Sequence, residues 1–290
     1  MRRLAKLRRQ ALLSLPLVFI GVFLLVPLCV TIFVSFWERV GVKFRPAFTF
    51  RSYETIIEGA RIDVLIRSLV AAVEATVLSL LIAYPIAYVL ARKTRPSVMR
   101  IVLLLFTVPF LINYVVRNVA WTGLLGRNGT INTALIAMGL TDKPLDWLLY
   151  SDFAVFLGLI STYMPFMIFP LVLSIAGIDR QYLEVSADLG ASAFTTFRRI
   201  VLPLSLPGIF AAIVFGYVGC LGESAVPIIM GGVGYELLGN TITSSMDVLN
   251  YPLAAALSTV VIVLMLLMMI GWYLAFDLKT FLGKILEWRT

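Results

Sequence analysis

Phe153–Ile178, Ile200–Gly222 and Val248–Phe276 are continuous apolar stretches without one charged residue. A helix of roughly 20 apolar residues spans a hydrocarbon core of ~30 Å. Leu12–Trp37 is equally free of charge. Ile101–Val116 is clean and can extend past Arg117, and Val64–Ala91 is interrupted only by Arg67 and Glu74. The runs are continuous rather than alternating, so they predict helices and not the strands of a membrane barrel. The expected architecture is an all-α integral membrane protein with six transmembrane helices, in one domain over 1–290. Only 14% of the chain is charged, against about 25% in a soluble domain.

Basic residues set the expected orientation, because Lys and Arg accumulate in cytoplasmic loops. With the N-terminus inside, the inner segments hold Arg2, Arg3, Lys6, Arg8 and Arg9, then Arg92, Lys93, Arg95 and Arg100. Arg180, Arg198 and Arg199 follow, and then Lys279, Lys284 and Arg289. The outer loop 222–252 has no Lys or Arg. The segment 38–63 runs against the pattern, with Arg39, Lys43, Arg45, Arg51 and Arg61, but the other loops outvote it. Both termini are expected on the cytoplasmic side. The net charge of +8 is explained by these helix ends in contact with membrane lipids, without nucleic acid. The first apolar run is too long for a leader's apolar core and no small-residue cleavage site follows, so it reads as the first span.

The chain contains no histidine, which removes histidine-based triads and the usual zinc sites. Cys29 and Cys220 both lie within apolar runs and suggest neither a disulfide framework nor a metal site. No G-x-x-x-x-G-K-[ST] loop is present, so this chain is not expected to bind ATP by itself, and with no plausible catalytic constellation in the sequence it is not expected to be an enzyme.

The inner segment between the fourth and fifth runs, EVSADLGASAFTTFRRIVLP over 184–203, has a readable local structure. Asp179 is placed to cap a helix beginning at Arg180. Tyr182, Leu183, Ala187 and Gly190 or Ala191 recur at helical spacing. Gly190 suits a left-handed turn or a close backbone approach. Ser192 is placed to cap a second short helix, with Phe194, Phe197 and Ile200 or Val201 on one face. Pro203 and Pro207 bracket the start of the next span. The expectation is a helix–turn–helix lying on the cytoplasmic membrane surface. A short surface helix is also predicted at Ile131–Met138, within the outer segment 122–152.

This inner segment resembles the EAA loop of binding-protein-dependent ABC importer permeases, whose pattern is roughly E-A-A-x-x-x-G, a spacer, then I-x-L-P. Glu184, Gly190, Ile200, Leu202 and Pro203 match at the expected spacings, Ala187 lies near the motif, and Val185 and Ser186 stand where alanines are usual. VPFLINYVVRNVAWTGLLGRNGTIN, YMPFMIFPLVLSI and DLGASAFTTFRRIVLPLSLPGI resemble the spermidine/putrescine importer permeases. The resemblance implies the type I ABC importer (MetI-like) permease fold in a bacterial cytoplasmic membrane. It implies assembly with a second permease, two ATP-binding subunits and an extracytoplasmic solute-binding protein. ATP and Mg would then be held by the ATPase partner. Residues 179–203 would be the coupling loop. Glu184, Ala187, Asp188, Gly190, Ala191, Phe194, Phe197, Ile200, Leu202 and Pro203 would form the ATPase-coupling surface.

Residues on the substrate path are read less directly. Glu74 lies about ten residues, roughly 15 Å, into its span. A charge at that depth faces a cavity or a partner, or else pairs with Arg67 or Arg117. Glu223 follows glycine where the polyamine permeases often carry an acid, which favours a pathway role. Alternatively it sits in water at the outer surface. Tyr114, Asn118 and Trp121 at the outer end of the third span either hold an ammonium group by cation–π contact or form an interfacial belt. Arg117 is awkward for a cation path and is expected to anchor the helix end or pair with an acid. Another cargo, such as ferric iron, a sulfate-like anion or a small organic cation, fits the same architecture. An ion-gradient-driven carrier is disfavoured by the EAA loop.

Overall fold

A computed structural model describes residue 16 and residues 18–41, 43–59 and 61–275. The basic arm over 1–11 and the tail after Phe276, with Lys279, Lys284 and Arg289, lie outside the described residues. In chain order the elements are α1 (Val26–Val34), β1 (Glu38–Val40), β2 (Lys43–Arg45), α2 (Arg51–Ile57) and α3 (Arg61–Arg92). They continue with α4 (Pro96–Leu111), α5 (Tyr114–Leu125), α6 (Thr130–Ala137), α7 (Asp152–Ala176) and α8 (Arg180–Asp188). The last are α9 (Ala193–Thr196), α10 (Leu202–Gly222), α11 (Leu238–Asp247) and α12 (Tyr251–Ala275). The surface helix predicted at Ile131–Met138 is α6.

Among the described residues four helices are long and apolar enough to cross a membrane: Arg61–Arg92, Asp146–Ala176, Ala193–Gly222 and Tyr251–Gly271. Val18–Val34 is a shorter apolar helix and represents the first expected span. The third expected span is not one straight helix. It is a pair, Pro96–Pro109 and Tyr114–Ala137, bent by 89°. Two local causes coincide at the break. Pro109 lacks an N–H for the helical ladder, and the Asn113 side chain accepts from the Val115 N–H at 2.8 Å, capping a new helix.

The chain divides into two compact units, residues 1–62 with 242–290, and residues 63–241. In the first, α1 and α2 pack against α12. The hairpin pairs Glu38 with Arg45, Arg39 with Phe44 and Val40 with Lys43. Phe36 stacks on Phe48 with ring centres 4.8 Å apart, and the hydroxyls of Tyr53 and Ser35 meet at 2.7 Å. The aromatic character of segment 38–63 is therefore used for packing at a helix end. Some of its anomalous positive charge is also engaged. Arg51 pairs with Glu38 at 2.8 Å, and Arg39 donates to the Val248 carbonyl at 3.0 Å.

In the second unit the principal packing is α7 against α10. Met167, Ile168, Leu171, Val172 and Ile175 meet Ile209 and Ala212, with Ala83, Ala87 and Leu90 of α3 completing the cluster. The buried face of α3 is built of small residues, Ala71, Ala72, Ala75, Ala83 and Ala87. Small side chains let helix backbones approach closely where apolar burial cannot distinguish protein from lipid. The fifth expected span also differs from expectation. α9, a π-helical turn at Phe197–Val201 and α10 form one continuous helical path from Ala193 to Gly222. Pro203 lacks an N–H for the helical ladder and lies just after the π-helical turn, so the second arm of the inner loop is the start of the span itself.

Candidate translocation cavity and coupling loop

α10 ends where Glu223 turns extended, at φ −72° and ψ 124°. One oxygen of its carboxylate, Oε1, accepts from the N–H groups of Ala225 and Val226 at 2.8 and 3.2 Å. The other, Oε2, accepts from the Tyr163 hydroxyl at 2.7 Å. Glu223 is only 6% exposed in this chain. The solvated-surface reading of Glu223 is therefore incorrect: it caps a helical turn from inside the protein, and an acid so buried is retained only with donors around it. The Tyr163 ring reaches this position across Gly219, where any side chain would collide with the ring.

A cavity of about 630 Å³ opens beside this group. α7 contributes Thr162, Tyr163 and Phe166, and the break between α4 and α5 contributes Asn113, Tyr114 and Arg117. Glu223 and Tyr114 thus line one cavity, and Arg117 stands on the same wall. Arg117 anchors the break, with Nη1 donating to the Pro109 carbonyl at 3.2 Å. Asn118 and Trp121 do not line the cavity. Asn118 is fully buried, and among the described residues neither its amide oxygen nor its nitrogen has a hydrogen-bond partner. Trp121 is half-buried.

Glu74 lies elsewhere, on the face of α3 that also exposes Val70, Val73, Val77 and Leu78. It does not pair with Arg67. Arg67 bonds Asp152 at 3.1 Å and lies 4.2 Å over the Tyr235 ring. Tyr235 in turn donates to Asp152 at 2.6 Å. Burial first, and then the Asp152 carboxylate, push the Tyr235 phenol up to about 12. This latch fastens the segment GGVGYELLGN onto the starts of α3 and α7.

The inner loop forms as its caps predict. Asp179 accepts from the Gln181 N–H at 3.0 Å and starts α8. Gly190, at φ +74°, ends it in the left-handed region, with the Ala191 N–H returning to the Ser186 carbonyl at 3.0 Å. The Ser192 hydroxyl accepts from the Thr195 N–H at 3.2 Å and starts α9. The two arms are joined by a bond between the hydroxyls of Ser186 and Thr196 at 2.8 Å.

Phe194 and Phe197 do not share a face. Phe194 is 71% exposed, whereas Phe197 turns inward, edge-on to Tyr84 and Tyr88 with centres 5.9 and 5.8 Å apart. The π-helical turn beginning at Phe197 breaks the regular spacing on which the shared face was predicted. Glu184, Ala187, Asp188 and Gly190 are exposed, Ala191 is half-buried, and Leu189 is 82% exposed. Tyr182, Val185, Leu189, Ala191 and Ile200 line a groove of about 650 Å³. Of the remaining residues of this expected surface, Leu202 is half-buried and Pro203 exposed.

Three important groups were not singled out from sequence: Tyr163, Thr162 and the Ser186–Thr196 pair. The signal for the first was a glycine, Gly219, one turn before Glu223. The signal for the last was the departure from alanine at Ser186.

The spermidine/putrescine transport system permease protein PotB of Haemophilus influenzae is 34% identical over 255 residues, covering 87% of this chain and 88% of that protein. The protein of the same description from Escherichia coli is 34% identical over 256 residues, covering 86% of this chain and 91% of that one. The crystal structure of a bacterial alginate ABC transporter, in complex with alginate pentasaccharide-bound periplasmic protein, contains a chain with a TM-score of 0.72. It is 17% identical and covers 92% of this chain and 96% of that one, so the fold is shared. Residues 75–280 match the family described as binding-protein-dependent transport system inner membrane component, and the chain belongs to that family.

Proposed function

We propose that this chain is the permease subunit of an ATP-driven importer of polyamines such as spermidine and putrescine. The observation that carries the reading is the inner loop: two capped arms tied by Ser186 and Thr196, continuous with α10, presenting an apolar groove. A rigid element joined directly to a span can tilt that span when a partner grips it, and two packings a few kcal/mol apart suffice for alternating access. The chain has no phosphate-binding loop, so the energy enters through this contact.

In this reading Glu184, Ala187, Asp188, Gly190, Ala191 and Phe194 meet a separate ATPase. Phe197, Ile200, Leu202 and Pro203 carry its movement to the span. Two ATP-binding subunits hold ATP and Mg, and this chain takes no cofactor. Residues 1–290 act as one permease domain in the bacterial inner membrane with both termini cytoplasmic. A second permease covers the exposed face of α3, where Glu74 would otherwise stand in lipid at a cost of several kcal/mol. An extracytoplasmic binding protein delivers the cargo to the cavity of Glu223, Tyr163 and Tyr114.

Relatives named for spermidine and putrescine support the cargo, as does a buried acid beside an aromatic ring, which suits an ammonium group. The test is uptake of labelled spermidine into proteoliposomes holding the whole complex, with putrescine, ferric ion and sulfate as competitors. Competition by putrescine alone supports the reading. Uptake of ferric ion or sulfate without spermidine rejects the cargo and leaves the architecture standing.

A further inference from the structure

The inference concerns Arg117 and rests on the polyamine reading. Arg117 and Glu223 are the only charged residues among the described residues lining the cavity. They are not joined by an ion pair among the described residues. Glu223 is held by Tyr163 and by two backbone N–H groups. Arg117 is held by the Pro109 carbonyl, one of the last four of α4, which have no partner within their helix. Its Nε is buried without an acceptor among the described residues. The cavity wall therefore carries one anchored anion and one anchored cation, each fixed by other groups.

That arrangement has a consequence for a cationic cargo. An acid alone in a cavity of low dielectric would attract an ammonium group strongly and release it slowly. A transport site has to bind well enough for its cargo to enter and weakly enough for it to leave. We propose that Arg117 is the resident counter-cation of this cavity: a cargo ammonium reaches Glu223 against Arg117, which lowers affinity and speeds release. Arg117 on this view tunes affinity and release, and its position at the α4–α5 break puts the opposing charge at the bend.

The experiment is equilibrium binding of labelled spermidine to the purified permease–ATPase complex without binding protein. Arg117→Gln keeps a donor for the Pro109 carbonyl and removes the charge. Arg117→Met is a second neutral variant, used if the first does not assemble. The neutral variant is expected to bind spermidine about tenfold more tightly, the change that ~1.4 kcal/mol of removed repulsion carries. Arg117→Lys, which restores the charge, is expected to reverse the gain. With binding protein and ATP present, the neutral variant should show a lower maximal uptake rate. Binding no tighter than wild type, or lost, in the neutral variant overturns the inference while wild-type spermidine uptake leaves the polyamine reading intact. Absence of wild-type spermidine uptake rejects that reading, and the inference with it.

Discussion

The Tyr163 hydroxyl donates to Glu223 Oε2 at 2.7 Å across 60 residues of chain. With Oε1 occupied by the N–H groups of Ala225 and Val226, this phenol is the side chain that fixes the free side of the carboxylate. A hydrogen bond to a charged group contributes about 1.5–3 kcal/mol. Tyr163→Phe should therefore leave assembly with the ATPase intact and reduce spermidine uptake severalfold. Wild-type uptake by this variant would remove Tyr163 from the path.

Gly219 is the condition for that contact, because a side chain there overlaps the Tyr163 ring. Overpacking of this kind costs about 1–3 kcal/mol. Gly219→Ala is expected to lower the thermal midpoint of the purified complex and to reproduce the uptake defect of Tyr163→Phe. Combining the two substitutions should add little to the uptake loss, since both act through one contact.

Within the inner loop, the Ser186–Thr196 bond should be measurable as a coupling between two positions on different arms. Each alanine substitution is expected to weaken ATPase assembly, and the double-mutant cycle should return about 0.5–1.5 kcal/mol. Strict additivity would mean that the arms are held by other contacts.

The outer latch has a pH signature. The Tyr235 phenol stands at about 12, above the ordinary tyrosine value of ~10. A group whose value rises on folding contributes fully below its unfolded value and loses the contribution as pH climbs through its folded one. The stability difference between wild type and Tyr235→Phe should thus be constant from pH 7 to 9 and shrink between about 10 and 12. A difference that already falls between pH 7 and 9 would contradict the latch as drawn.

Much of this was legible in the sequence where local chemistry decides. The apolar runs marked the long helices, and Asp179, Gly190 and Ser192 marked the starts and ends of the loop helices by cap and φ requirements alone. The break at Pro109–Asn113 carried signals in a proline and a capping asparagine, but an uninterrupted apolar run outweighed them. What could not be read was long-range. The side chain that satisfies Glu223, the partner of Arg67 and the inward turn of Phe197 depend on packing between distant segments, to which helical periodicity is blind. Glu74 shows the same limit from the other side, since in the proposed assembly its surroundings would be supplied by another chain.

If energy reaches this permease through the loop at 179–203, as proposed, a reconstitution will show it. Proteoliposomes are prepared with the permease pair and loaded binding protein, with or without the ATPase, and with wild-type chain or Glu184→Arg. Spermidine uptake should require both the ATPase and ATP and should fall sharply in Glu184→Arg, with membrane insertion unchanged. Uptake by the permeases alone, indifferent to ATP and to the charge at Glu184, would contradict the account.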